Sequence, residues 1–445
     1  MKNNKRKLIQ VCAMTFASAF GTLGFVSVHA ANSVGLSDVY QMAFMHDAQL
    51  AQKRAEFEAS KEGIVNAKAE LLPKINAEAS YFENSFADLS RSGDKNKKDI
   101  SVSLRQPLFN KGAWYGLKKV ESLSDQAKNT LQNAEQELII RVVETYFNVL
   151  LAEEDVTLSK AQEESDKLQW DRALASAEVG LGSRSDVLQA KSSYDLTKST
   201  RISNENDLDV AYEELMKLTG RSITALNALE ASANLPSETF IMENWVERSE
   251  DMNFGVKDNQ FRLNQANKEI DIQKSAHWFS AELQARVFSS DNDYDVFGAD
   301  KTDNAIGVVV SVPLYAGGGT SAKVSEARLK QTSAQEALRD SRDQARLDVR
   351  IQVRSVERGA LLIGALREAV KSNSSFLEAA EEGYKVGLKN LLEVLTARSN
   401  LFNAQRDLIE AMHNQVLNRL NLEATVGDLT AEDLIQYDAL LSAQN

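Results

Sequence analysis

Apolar and polar residues alternate along this chain with two different periods, and the switch between them happens twice. Ile75, Ala77, Ala79 and Tyr81 alternate with Asn76, Glu78 and Ser80. Ile100, Val102 and Leu104 alternate with Ser101, Ser103 and Arg105. Period two predicts strands with one apolar and one polar face. The stretch between them, Asp88 to Asp99, is rich in Ser, Lys, Asp and Asn and predicts a solvated hairpin loop, with Pro107 closing the second strand. The period then lengthens. Val120, Leu123, Ala127, Leu131, Ala134, Leu138, Val142 and Tyr146 follow one another by threes and fours, a helix seam of coiled-coil type. A helix over 112–179 is roughly 100 Å long at its usual rise. A globular domain is rarely that wide, so the helix belongs to an elongated bundle or tube.

The second half repeats this order. Leu283, Ala285 and Val287 alternate with Glu282, Gln284 and Arg286; Ile306, Val308, Val310 and Val312 follow a polar stretch at Ser289 to Asn304. A second long seam carries Leu338, Ala345, Val349, Val353, Val356, Ala360 and Ile363. Matched positions keep one offset: Ala59-Ser60-Lys61-Glu62 answers Ala266-Asn267-Lys268-Glu269, and Gly220 answers Gly427, each shifted by 207. Gln106-Pro107-Leu108-Phe109 answers Val312-Pro313-Leu314-Tyr315 at 206; Ser280 stands where Pro73 would predict a second proline. Such a duplication makes each half one structural unit. The expected division is 31–220 as a first repeat (a helix capped by Ser37-Asp38 and stopped by Pro73, a β-hairpin at 74–107, a long helix 112–179, a helix 186–219). A linker of different texture follows at 221–252. The second repeat is 253–427 (helix, hairpin 281–313, long helix 320–385, helix 393–426), and 428–445 is a tail.

Two turns carry the clearest copy. Val179-Gly180-Leu181 is followed by Arg184, Asp186 and Val187-Leu188-Gln189-Ala190. Val386-Gly387-Leu388 is followed by Lys389, Glu393 and Val394-Leu395-Thr396-Ala397. Each predicts a tight turn between two long helices, because Gly permits the left-handed conformation that ends a helix.

Composition narrows what such a chain can be. Met1 to Ala30 has a basic start at Lys2, Lys5, Arg6 and Lys7, an apolar run from Leu8 to Val28 and Val28-His29-Ala30 before Ala31, the features of a cleaved export signal. Removing it takes four cations and no acids, so the formal net charge goes from −13 to −17. That argues against a nucleic-acid partner. Cys12, the only cysteine, leaves with it, and Val11 is not the small residue that a lipoprotein signal wants. No disulfide, thiol nucleophile or thiolate metal site is then available. His46, His277 and His413 are far apart and show no metal-ligand spacing. Ala316-Gly317-Gly318-Gly319-Thr320 lacks the Gly-Lys-Ser/Thr order of a phosphate loop and is read as a strand-to-helix turn. The expectation is no catalytic residue, no cofactor and no metal.

No later segment approaches eighteen consecutive apolar residues, so no spanning helix is expected. Strands of about ten residues with one apolar face suit the outer membrane, where about 9–11 residues span the bilayer. Four strands per chain cannot close alone, since membrane barrels have at least about eight. A barrel must be shared, by two chains or three. Phe109, Trp114 and Tyr115 at one strand foot, and Trp278, Phe279 and Tyr315 at the other, are placed as an interfacial girdle.

The duplication, the paired hairpins and the two Val-Gly-Leu turns resemble the TolC family of outer-membrane channel-tunnels over essentially residues 35 to 440. Gly383-Tyr384-Lys385-Val386-Gly387 with Glu393-Val394-Leu395 is the nearest stretch. The resemblance implies a mainly α fold with a membrane β-barrel portion. A homotrimer would share a twelve-strand β-barrel and a long α-helical barrel reaching into the periplasm, with 221–252 and the tail as an equatorial collar. It implies the exit duct of a tripartite efflux pump or type I secretion system, with a periplasmic adaptor (membrane fusion) protein, an inner-membrane transporter and outer-membrane lipid as partners. Asp186, Arg184, Tyr384, Lys389 and Glu393 would line the periplasmic entrance as a gate. Val179, Gly180, Leu181, Val386, Gly387 and Leu388 would be the adaptor-docking turns. Lys389 stands where the family often has Arg, Glu393 where it has Asp and Thr396 where a second acid can occur, which implies a looser, less acidic latch. The other reading of the residues is a non-transporting periplasmic coiled-coil scaffold or pump adaptor, which has no use for the amphipathic hairpins. The cargo, whether drug, small molecule or protein, is left open.

Overall fold

The computed structural model describes residues 33–86, 93–229, 241–292 and 301–443. The expected export signal at 1–30 lies outside the described residues, as do 87–92 and 293–300 of the expected hairpin loops. The elements are α1 (Leu36–His46), α2 (Ala48–Ala69), β1 (Lys74–Phe86), β2 (Gly93–Phe109), α3 (Lys111–Glu178), α4 (Arg184–Thr219) and β3 (Asn227–Leu229). There follow α5 (Met242–Met252), α6 (Phe254–Ser275), β4 (Ser280–Asn292), β5 (Lys301–Ser311), α7 (Gly319–Lys385), α8 (Leu391–Val426), α9 (Asp433–Asp438) and β6 (Leu441–Ala443). The chain is therefore mainly helical. Its longest helices, α3 and α7, have 68 and 67 residues. Each runs roughly 100 Å.

Strands β1, β2, β4 and β5 form one antiparallel sheet in that order. The ladders are longer than the alternation suggested. Gly93 already faces Phe86, and Lys301 faces Ser290, so much of each expected polar loop is strand. Paired residues share a face. Ile75 lies opposite Leu104, Val102 opposite Val287, and Ala285 opposite Ile306. This continuous apolar face has Ile75, Val102, Val287, Ile306, Val308 and Val310 exposed in the single chain. The other face carries Glu78, Ser101, Ser103, Arg105, Glu282 and Gln284. β1 and β5 are the sheet's edges, and each has a free row of backbone donors and acceptors on its outer side.

The core sits midway along α3. Val142, Val143, Tyr146 and Leu150 pack with α1, the end of α4, the end of α8, α9 and the β3–β6 pair. Tyr146 is fully buried and its hydroxyl donates to the Asn227 carbonyl at 2.6 Å. Desolvation raises its pKa well above the ordinary phenol range. The short β3–β6 ladder joins a residue of the 221–252 segment to the tail, at Leu229 and Leu441.

Two local expectations are corrected. A single helix from 31 to 72 was expected; the structure breaks it at Asp47, whose ψ of 119° is not helical. The Asp47 carboxylate accepts from the Leu50 amide at 2.7 Å and takes Arg141 of α3 bidentately at 2.9 and 3.0 Å. Burial pushes this carboxyl up, but Arg141 and the Leu50 amide together outweigh burial and hold it below the usual range. Helix propensity along one segment cannot report a guanidinium arriving from another. Nor do Ser37 and Asp38 cap α1. Its N-cap is Gly35, which offers no side chain, and Asp438 supplies the acceptors instead, to Leu36 N at 2.7 Å and Ser37 N at 3.0 Å. Asp438→Ala should therefore cost about 1–2 kcal/mol, the usual value of a helix cap. Asp38→Ala should cost little in the same thermal unfolding experiment. Equal losses for the two variants would refute the assignment of the cap.

Candidate functional site

The two turns between long helices are built by the same hydrogen bonds, displaced by 207 residues. In the first, the Ser176 carbonyl accepts from Leu181 N at 2.9 Å and Gly182 N at 3.0 Å. In the second, the Gly383 carbonyl accepts from Leu388 N at 2.8 Å and Lys389 N at 3.1 Å. Gly180 and Gly387 hold φ of 77° and 76°, the left-handed conformation that reverses the chain at a helix end. The next helix is then capped from its own sequence. Ser183 Oγ accepts from Asp186 N at 3.1 Å and Asp186 Oδ2 accepts from Ser183 N at 3.4 Å, a reciprocal capping box. Asn390 Oδ1 accepts from Glu393 N at 2.9 Å. As a result α4 begins at Arg184 and α8 at Leu391, each two residues before the expected start.

This backbone pushes four apolar side chains outward. Val179, Leu181, Val386 and Leu388 are 70%, 86%, 69% and 82% exposed. Water around such side chains is unfavourable, at about 1.5–3 kcal/mol for each one that a partner could bury fully. Behind the tips, the two hairpins meet. Ala173 of α3, Ala190 of α4 and Leu391 of α8 form one buried cluster, flanked by Trp170, Val187, Tyr384 and Leu395. Both turns thus lie at the same end of the helices.

The sequence-expected polar residues take distinct positions there. Tyr384 has its ring half-buried between this cluster and a second one made by Ala380, Val394 and Ala397. Lys389, in the turn, pairs with Glu393 in the first turn of α8. Asp186 is engaged in the capping box. Arg184 is exposed, and no described carboxylate lies within ion-pair distance of it. Within one chain, then, Lys389 and Glu393 meet, whereas Arg184 and Asp186 do not pair.

Several residues that matter here escaped the sequence reading. A Cβ on Gly383 would stand 2.6 Å from Lys389 Cγ. The lysine stem therefore lies across that glycine and is steered toward Glu393. In the first turn the matched pair is reversed: Ser176 faces Gly182, where a Cβ would stand 3.1 Å from the serine Cβ. One member of each pair is small so that the other fits. Arg398 is buried on α8 and pairs with Glu381 of α7. Asp166 is buried between α3 and α4, where Thr197 Oγ1 donates to it at 2.6 Å and Ser193 Oγ at 3.1 Å. The signal for Asp166 was present, because Ser159, Asp166 and Ala173 are buried at heptad spacing. Arg398 had no such signal beyond its place between Val394 and Ala404.

The family model for "Outer membrane efflux protein" matches residues 39–221 and 245–428, so it covers both halves of the duplication. The chain is 28% identical over 431 residues to outer membrane protein TolC of Escherichia coli (strain K12), covering 94% of this chain and 87% of that protein. It is 26% identical over 425 residues to the proteases secretion protein PrtF of Dickeya chrysanthemi, covering 92% of each. The crystal structure of the Campylobacter jejuni CmeC outer membrane channel superposes with a TM-score of 0.76 at 17% identity, over 91% of this chain and 89% of that one.

Proposed function

Since this chain belongs to the outer membrane efflux protein family, we propose that it is an outer-membrane exit duct that conducts substrates passively from the periplasm to the exterior. The observation that carries this is the sheet. It has an uncovered apolar face and two open edges, and it stands at the foot of helices far too long to wrap it. β5 of one chain and β1 of the next run antiparallel, so copies can join edge to edge without reversing direction. Three copies make twelve strands, an even number as membrane barrels require. Lipid then covers the apolar face, and the polar face lines a water-filled lumen. Helices α3, α4, α7 and α8 of three chains make the periplasmic tube. The two repeats at 31–220 and 253–427 supply matched staves, and the described parts of 221–252 and 428–445 (230–240 and 444–445 lie outside the described residues) contribute the collar around the core of α3.

The tips form the entrance. Asp186 and Glu393 from three chains make rings of carboxylate, and such rings favour cations. Tyr384, Lys389 and Arg184 hold the hairpins together until the gate opens. Val179, Gly180, Leu181, Val386, Gly387 and Leu388 receive a periplasmic adaptor protein, which links the duct to an inner-membrane transporter that supplies the energy. The duct itself carries out no chemistry. Relatives are named both for protease secretion and for efflux, so either cargo class suits the same tube.

The test is electrical. The full-length protein in planar bilayers should show discrete low-conductance channels. Lys389→Ala with Tyr384→Phe should raise single-channel conductance several-fold and increase cation selectivity, because Glu393 loses its internal counter-charge. Unchanged conductance would remove the latch. Recovery of the protein in the soluble periplasmic fraction would remove the duct.

A further inference from the structure

From the junction of β2 with α3 we infer a binding site for one anionic phospholipid per chain, with its headgroup on Lys111 and its acyl chains on the apolar sheet face. The inference rests on the outer-membrane placement of the sheet proposed above. A cavity of about 500 Å³ opens at this junction, walled by Phe109, Trp114, Tyr115 and Trp278 with Leu71 and Leu108. That volume is typical of a small-ligand pocket. Trp114 and Trp278 remain half exposed in the single chain.

The cavity is joined to the apolar face by a bulge. Gln106 lies opposite Leu283, and Pro107 opposite Glu282, but Phe109 lies opposite Ala281. Leu108 is the extra residue, and it moves Phe109 onto the same side as Leu283, Ala285 and Ile306. Phe109 then stacks on Phe279 at 4.7 Å. About 14 Å further along the strand, a second apolar hollow of about 350 Å³ lies over Leu104, Ala285 and Ile306. Gln106 shares this face between Leu104 and Phe109, but its amide donates to the Leu71 and Pro107 carbonyls at 3.0 and 2.8 Å, and Leu283 and Ala285 carry the apolar track past it. A polar end at the helix junction and this track match the two parts of a phospholipid.

Charge selects the headgroup. Lys111 Nζ lies 3.9 Å from the Trp278 ring centroid and 5.7 Å from that of Tyr115. No described carboxylate is within ion-pair distance of it. Its cation is therefore held against rings with no anion among the described residues to neutralise it. A lipid phosphate supplies that anion. A headgroup bearing its own ammonium would compete with Lys111 for the same rings and place like charges together, so a net-negative headgroup is preferred.

The duplication provides an internal control. At the shift of 206 that matches Pro107 to Pro313, Lys111, Trp114 and Tyr115 correspond to Gly317, Thr320 and Ser321. The second strand-to-helix junction folds without the cation and without the two rings. These residues are thus not needed to turn a strand into a helix.

The test uses the full-length protein carrying Trp170→Phe and Trp245→Phe, so that emission comes from Trp114 and Trp278, the remaining two of four tryptophans. It is reconstituted into phosphatidylcholine vesicles containing a small fraction of chain-brominated phosphatidylglycerol or, separately, chain-brominated phosphatidylcholine. Brominated phosphatidylglycerol should be about fivefold enriched at the tryptophans, the ratio expected from one lysine at a membrane surface. Lys111→Gln should abolish the preference and Lys111→Arg should retain it. Equal quenching by the two lipids in the parent protein, or a preference surviving in Lys111→Gln, would overturn the site while leaving the duct intact. Failure of the protein to float with the vesicles would overturn the membrane placement itself, and the lipid site with it.

Discussion

Leu181→Asp combined with Leu388→Asp is expected to abolish export in cells while leaving the protein folded, in its normal oligomeric state and conducting in bilayers. Both leucines are more than four-fifths exposed, so neither contributes to the packing of its own chain. Each stands on a backbone fixed by a left-handed glycine and by carbonyls at Ser176 or Gly383, and those bonds do not involve the leucine side chain. What the substitution removes is apolar area available to a partner. At about 2 kcal/mol for each leucine buried, losing both weakens docking by about 4 kcal/mol, close to a thousandfold. An aspartate forced into the same contact adds a desolvation cost. Pull-down with the purified adaptor, alongside an export assay at matched outer-membrane levels, reads both effects. Normal export and normal adaptor binding would show that the exposed leucines are not the docking surface.

The second large effect is a loss of stability in mild acid that depends on one histidine. His413 of α8 is buried, stacks on Phe147 of α3 at 4.6 Å and has no hydrogen-bond partner for Nδ1. Desolvation lowers its pKa from 6.5 to about 4. The folded protein therefore binds this proton less readily than the unfolded chain does. Above pH 6.5 both states carry a neutral imidazole and nothing is lost. Between pH 6.5 and 4 the unfolded chain takes up the proton first, and stability falls with pH, by up to about 3 kcal/mol per chain. His413→Phe should keep the stack and flatten the profile over this window. Asp47, whose pKa is lowered, contributes a separate loss at lower pH, as acid removes its pair with Arg141. Urea unfolding in detergent from pH 7.5 to 4 measures the difference. Parallel profiles for parent and variant would exclude His413 as the source.

Much of this architecture could be read from spacing. Period-two alternation marks the four sheet strands because each has one apolar and one polar face. The offset of 207 between Val179-Gly180-Leu181 and Val386-Gly387-Leu388 pairs two turns whose backbones use the same bonds. Long helices are legible where Pro is absent, since Pro would remove a helix hydrogen bond and clash with the preceding turn. The features that were hidden depend on which side chain arrives beside a residue, which local spacing does not report. Asp47 is one polar residue in a helix-forming run until Arg141 arrives. The cap of α1 comes from a position 402 residues away. Gly383 resembles any helix glycine until the stem of Lys389 is laid across it. At the tips the acids and bases were legible as a group, but their partners were not. Whether an acid caps its own helix or pairs with a neighbour is decided by side-chain direction, which composition does not encode.

The clasp between Asp438 and α1 also has a meaning in time. In chain order α1 comes early, with its leading amides unsatisfied, and Asp438 follows 402 residues after Leu36. Until then the core around Tyr146 lacks α9 and the β6 partner of β3. The clasp therefore makes closure of this core depend on the arrival of α9. A chain that stops short of Asp438 leaves the Leu36 and Ser37 amides without their acceptor and β3 without its partner strand.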